Sequence, residues 1–129
     1  MATLTSFEDI ESWKKARHVA DEIFQIFTQD PARKDFTLKD QTNRSIGSVM
    51  DNIAEGFDRN GNREFIQFLS IAKGSAGETM SQLYRLLDRK YITQDAFDHL
   101  YGETHTIMKM IGGMISYLKR SGFKGSKFK

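Results

Sequence analysis

Apolar side chains recur at steps of three and four in four separate stretches of this chain, and that recurrence constrains its fold more than any other feature. In the first stretch, about Glu8 to Thr28, Ile10, Trp13, Ala16, Ala20, Ile23 and Phe27 share one helix face, widened by Val19, Phe24 and Ile26. The second, about Leu38 to Arg59, aligns Thr42, Ile46, Val49, Ile53 and Phe57. The third, about Arg63 to Lys90, aligns Phe65, Leu69, Ala72, Ala76, Met80, Leu83 and Leu87, with Phe68 and Leu86 beside them. The fourth, about Gln94 to Arg120, carries Phe97, Leu100, Tyr101, Ile107, Met108, Ile111, Met114, Ile115 and Leu118. No strand-like alternation and no internal repeat interrupts this pattern.

The breaks between stretches carry turn chemistry. Gln29 to Thr37 contains Asp30-Pro31, and the residue before proline is biased away from helix. Pro31 is the only proline, so nothing else forces a helix to stop. Asn60-Gly61-Asn62 tolerates left-handed backbone and reads as a tight helix-to-helix connection. Ser6 followed by Asp9 suits an acidic capping box, and Thr93 suits an N-cap. Four such segments on short connections predict an all-α, antiparallel up-down-up-down four-helix bundle. Each helix is expected to be about 30–40 Å long at roughly 1.5 Å per residue. Residues 1–120 form the bundle in this reading, and 121–129 form a basic tail that is expected to be disordered.

Composition narrows the chemistry. At 129 residues with 39% apolar side chains, one domain with a real core is expected. There is no cysteine, which excludes disulfides and thiolate chemistry and fits a reducing, cytoplasmic setting. No stretch approaches the roughly 20 apolar residues of a membrane span, so no membrane contact is expected. Residues 1–11 hold acids and no base, unlike a signal peptide. The formal charge of +2 is unevenly spread. Five of the 19 Lys/Arg lie in residues 119–129, which hold no acid, leaving 14 basic against 17 acidic groups in the preceding 118. The body is therefore mildly acidic, and any charge argument for nucleic acid begins at the tail.

Tests for an active site fail. A di-iron bundle needs Glu-x-x-His, but the residues three before His18, His99 and His105 are Lys15, Ala96 and Gly102. Asp95 and His99 are one turn apart, the spacing of a solvated pair. Gly74-Ser75-Ala76-Gly77 lies inside a helical period and is no nucleophile elbow. Phosphate-cradling glycine loops are missing too. The chain is expected to be no enzyme and to need neither cofactor nor metal.

Three features remain. First, Gly74, Gly77, Gly112 and Gly113 lie within helices, each costing about 1 kcal/mol against alanine. Close helix approach would offset this, either inside the bundle or between subunits. Second, Asn52-Ile53-Ala54-Glu55-Gly56-Phe57 puts Asn52 and Glu55 beside the apolar stripe. A half-buried Glu55 would need Arg59 or Arg63, making a polar clamp between the second and third helices; a ligand contact is the alternative. Third, basic residues cluster at Lys14, Lys15 and Arg17, at Arg59 and Arg63, at Arg85, Arg89 and Lys90, and in the tail at Lys119, Arg120, Lys124 and Lys127. Phe123 and Phe128 interleave the tail lysines, an arrangement that suits single strands; the alternative is a solubilising tail.

Several stretches resemble the 23S rRNA-intervening sequence proteins, often called simply four helix bundle proteins. These are residues 7–16 (Phe-Glu-Asp-Ile-Glu-Ser-Trp-Lys-Lys-Ala), residues 52–57, and Arg63-Glu64-Phe65-Ile66-Gln67-Phe68-Leu69 on to Ile71-Ala72-Lys73-Gly74-Ser75. Leu83 and Tyr91-Ile92 also fit, so the likeness spans about residues 7 to 118. Where the family often has proline before the Asn-Ile-Ala-Glu-Gly run, this chain has Met50, which predicts a straighter second helix. The resemblance implies an antiparallel bundle that forms a homo-oligomer, commonly a homopentamer. The family is similar to the accessory variability determinant proteins of diversity-generating retroelements, which implies RNA or DNA and a reverse transcriptase as partners. It supplies no catalytic residues, and it adds Arg44 as a basic position. Two functions are expected from these observations: a bundle that binds RNA or DNA through its basic residues, or a protein-interaction scaffold that binds none.

Overall fold

The computed structural model describes residues 4–59 and 61–121. Four helices follow one another: α1 (Glu11–Ile26), α2 (Phe36–Asp58), α3 (Asn62–Asp88) and α4 (Gln94–Ser121). Each helix packs on its sequence neighbour, and α4 closes the square on α1, giving the antiparallel up-down bundle that the periodicity predicts. No strand occurs among the described residues. α2 runs unbroken through Met50. The last helix reaches Ser121; the tail beyond it and Asn60 lie outside the described residues.

The predicted stripes meet on the bundle axis. Val19 and Ile23, Ile46, Val49 and Ile53, Leu69, Ala72, Ala76 and Leu83, and Ile107 and Ile111 are all essentially sealed from solvent. Burying each large side chain of this kind stabilises the fold by about 1.5–3 kcal/mol. Three threonines share the core: Thr42, Thr79 and Thr104 are 0% exposed. Each turns its hydroxyl back onto the carbonyl four residues earlier (2.7, 3.0 and 2.7 Å), so no buried donor is left over. Two expectations shift. Leu86 is buried and Leu87 only partly so, because a step of three from Leu83 meets the axis better than a step of four. Phe24, placed in the widened first stripe, is 53% exposed, since it lies one residue off the Ile23 line.

The first stretch is two elements, not one. A 3-10 turn, Phe7–Asp9, is capped as predicted: the Asp9 carboxylate accepts from the Thr5 and Ser6 N–H groups (3.0 and 3.1 Å) and from the Thr5 hydroxyl (2.9 Å). Those bonds, the Thr5 N–H foremost, hold the Asp9 carboxyl below its ordinary range. Ile10 then turns extended (φ −79, ψ 121) before α1 begins.

The far ends of the loops are tied by one carboxylate. Asp35 caps α2 by accepting from Leu38 N–H (3.2 Å), and it also accepts from the Tyr91 hydroxyl (2.8 Å) and from Arg89. The α1–α2 and α3–α4 connections are thereby joined. The Tyr91 hydroxyl, with Leu38 N–H and Arg89, keeps the Asp35 carboxyl below its usual range, and the same bond raises Tyr91. At the start of α4, Thr93 Oγ1 accepts from Ala96 N–H at 3.1 Å, the expected N-cap.

α2 is packed tightly against α3 at Gly56. A Cβ there would lie 2.7 Å from Phe68 Cβ and 2.9 Å from Phe65 Cδ1. Phe57 and Phe65 pack edge to face beside it, centroids 6.0 Å apart. Gly61, just before α3, has φ 116, a backbone that favours glycine. At the other end of α3, Tyr91 N–H bonds Leu86 O and Lys90 N–H bonds Leu87 O (both 2.9 Å). This is a Schellman termination with Lys90, φ 63, where glycine usually stands.

Both geometries bear on stability. Gly56→Ala should lower the unfolding free energy by about 1–3 kcal/mol, read as a lower urea midpoint at an unchanged slope, because the added methyl overpacks the seam. Lys90→Gly should raise it by roughly 0.5–1 kcal/mol, since an exposed residue is released from left-handed strain.

Candidate nucleic-acid interface

The up-down topology sends the start of α1, the end of α2, the start of α3 and the end of α4 to one end of the bundle. One side chain welds that end. Asn62, the first residue of α3, is buried and donates from Nδ2 to Leu118 O (2.7 Å) and to Ser121 Oγ (2.9 Å). It thus adds a donor from α3 to a terminal carbonyl of α4, which the Ser121 hydroxyl also meets at 3.1 Å. Its Oδ1 is buried with no hydrogen-bond partner among the described residues. Sequence reasoning treated Asn62 only as a turn residue. Its position beside Gly61 was legible, but its reach of 56 residues along the chain was not.

The cations proposed from sequence separate into two kinds. Arg63 adjoins Asn62, and Lys119 and Arg120 adjoin Leu118, so the Asn62–Leu118 bond brings them to the same end. None of the three makes an ion pair among the described residues. Arg59 belongs to this end too, but its guanidinium is held by Glu55 (3.2 Å) and lies 5.0 Å from the Phe68 ring centroid. The remaining candidates are engaged or remote. Lys15 reaches from α1 to Glu103 on α4 (3.0 Å), and Lys14 pairs with Glu11 (3.0 Å). Arg44 is exposed mid-α2 and pairs with Asp40 at 2.9 Å. Arg17 lies 5.9 Å from the Trp13 ring centroid. Lys124 and Lys127 lie outside the described residues.

The residues expected to clamp α2 to α3 are arranged differently. Glu55 is exposed rather than half-buried, and its partner Arg59, one turn on at the C-cap of α2, reaches α3 by its guanidinium over the Phe68 ring rather than by an ion pair. The hydrogen-bonded bridging falls to hydroxyls. Ser45 Oγ lies 2.7 Å from Thr79 Oγ1 and donates to Gln82 Oε1 (2.6 Å), and Ser48 Oγ lies 2.9 Å from Ser75 Oγ. Asn52 extends the seam by donating to Ser48 O and Oγ (2.8 and 2.9 Å). A groove of about 410 Å³ runs along this seam, with Arg44 and Glu78 on opposite rims. Ser45, Ser48 and Asn52 stand at steps of three and four, as do Ser75, Thr79 and Gln82. That polar stripe was the available signal, hidden because it runs beside the apolar one.

The helix glycines are not alike either. A Cβ on Gly77 would meet only the flexible Met108 Cε at 3.2 Å, and one on Gly112 the Lys73 ammonium end at 3.8 Å. At Gly74 and Gly113 it would meet nothing within 4 Å among the described residues. Close approach inside the bundle therefore accounts for Gly56 and not for Gly74. His99, the middle histidine, pairs with Glu22 across the α1–α4 seam (3.1 Å). No group of three or more potential ligands that could hold a metal occurs among the described residues. No described helix is long and apolar enough to cross a membrane.

The chain is similar to the crystal structure of a protein with unknown function from the S23 ribosomal protein family of Bacteroides thetaiotaomicron VPI-5482. The two share 27% identity with a TM-score of 0.74, over 81% of this chain and 97% of that one. No curated protein matches. Residues 8–113 match the family described as 23S rRNA-intervening sequence protein, a segment that includes Arg63 and the α2–α3 seam and stops short of Lys119. By that match across most of its length, the chain belongs to the 23S rRNA-intervening sequence protein family.

Proposed function

We propose that this chain is a non-catalytic helical bundle that assembles with copies of itself and binds RNA or DNA. The observation that carries the nucleic-acid part is the gathering of Arg63, Lys119 and Arg120, none ion-paired among the described residues, at the end where α4 stops. The basic residues 122–129 continue in sequence from that point and add three lysines. Cations without carboxylate partners need not break an ion pair to meet a phosphate, so each displaces condensed counterions at little local cost. Assembly would multiply the effect, because a ring presents the same patch from every subunit. The cysteine-free composition supports a cytoplasmic setting for such a protein.

Assembly is supported by the outer face of α3. Gly74 is exposed with open space around its Cα, and Ile71, one turn before it, is 53% exposed. An intrahelical glycine that nothing among the described residues approaches has its cost of about 1 kcal/mol offset if a second helix packs there. A homopentamer is the assembly that the family resemblance suggests. The alternative reading, a protein-interaction scaffold without nucleic acid, draws on the acidic body and on the exposed Phe24 and Phe36.

Two experiments decide between them. Fluorescence anisotropy with labelled single-stranded and duplex RNA and DNA, at two salt concentrations, should give a steep fall of affinity with salt. Arg63→Gln with Lys119→Gln should lower the log–log salt slope by roughly 0.7–0.9 for each phosphate that is no longer neutralised. Absence of binding at low salt would leave the scaffold reading standing. For assembly, Gly74→Leu should keep the helical dichroism and thermal midpoint of the subunit while reducing the oligomer mass by light scattering. An unchanged mass would remove this face of α3 from the interface.

A further inference from the structure

A second site lies at the start of α1, at the same end of the bundle as Arg63 and Lys119 but built from other residues. The 3-10 turn swings Phe7 edge-on against Trp13, with ring centroids 5.1 Å apart and planes at 70°. That contact holds the half-buried indole in one orientation. One turn further along α1, the Arg17 guanidinium stands 5.9 Å from the Trp13 ring centroid. Glu8, Trp13, Lys14, Arg17 and His18 together line a hollow of about 290 Å³. Glu8, Arg17 and His18 are exposed and make no ion pair among the described residues, while Lys14 is shared with Glu11.

Resting on the nucleic-acid reading above, we infer that this hollow holds one unpaired nucleotide of a single strand, with its base against Trp13. The chemistry is specific to that ligand class. An oriented aromatic ring offers a stacking surface to a splayed base, and a guanidinium beside it can lie over a base plane or meet a phosphate. Arg17 and Lys14 bring positive charge to the hollow for the backbone, and His18 adds a ring nitrogen to its lining. Glu8 puts a carboxylate on the hollow's rim, and a carboxylate can only accept from a base edge while it is ionised. Cytosine presents an amino donor to such a group, whereas uracil presents a carbonyl in the same place. Glu8 would thus select cytosine over uracil, and a double-stranded ligand could not enter, because its bases are already stacked and paired.

The chain has a single tryptophan, so its intrinsic tryptophan emission comes from a residue that lines this hollow. The test titrates the full-length protein with fluorescein-labelled oligocytidylate and oligouridylate, reading label anisotropy and Trp13 emission in parallel samples. Anisotropy registers binding anywhere on the molecule. Trp13 emission should be quenched along the same curve, and oligocytidylate should bind about tenfold more tightly than oligouridylate. Glu8→Ala, at an exposed turn position, should erase that preference while leaving the quenching. Arg17→Gln should weaken both oligomers severalfold and reduce the salt slope by roughly one. Rising anisotropy with unchanged Trp13 emission would overturn this site and leave the proposed function intact. No anisotropy change with any strand would overturn both. Equal affinity for the two oligomers, or a preference that survives Glu8→Ala, would overturn the base selection by Glu8.

Discussion

The approach of α2 to α3 is the constraint on which the rest of the bundle depends. At Gly56 the two helices come so near that even a methyl group has no room, and two phenylalanines of α3 fill the space a side chain would take. Further along, the same pair is joined by hydroxyls, Ser45 to Thr79 and Ser48 to Ser75, which are short enough to permit the approach and polar enough to need a partner once buried. Small size and hydrogen bonding thus work together along one seam. Buried hydroxyls left unpaired would each cost about 1–3 kcal/mol, so the seam also specifies register: a slip of either helix would orphan them.

Register between α2 and α3 propagates to the ends. With α2 fixed on α3, the short connection through Gly61 sets where α3 begins, and Asn62 then meets the last turn of α4. Asp35 does the same at the opposite end, where one carboxylate serves α2, Tyr91 and Arg89. A bundle whose helices are tied at both ends holds its terminal side chains in place. That gives the cations flanking Asn62 and Leu118 a defined spacing, and it distinguishes them from Arg44, which stands alone on an exposed helix face beside its own acid.

Much of this was written in the chain's periodicity. Residues such as Ile23, Ile53, Leu83 and Ile111 could be assigned to the core because a helix repeats every 3.6 residues, whatever it packs against. The caps at Asp9 and Thr93 were legible for a similar reason: the side chain and the N–H it serves are three or four residues apart. Legibility failed wherever the partner was distant in sequence. Glu55 looked like an inter-helix clamp, yet whether it faces α3 or solvent depends on a rotation about the helix axis that the stripe bounds only loosely. Gly74 and Gly56 look alike as letters, and only the neighbouring helix tells an open surface from a closed contact.

The sequence by itself determined the number of helices, their order, their inward faces and the absence of recognisable catalytic spacing, since all of these are properties of residues within one turn or one segment. Tertiary structure alone decided which cations are free, because an ion pair such as Lys15 with Glu103 spans 88 residues and exists only when α1 lies against α4. It also decided that Trp13 shares a hollow with Arg17 and Glu8, since the bend at Ile10, which carries Glu8 and Phe7 to the indole, interrupts a pattern that on paper reads as one continuous helix.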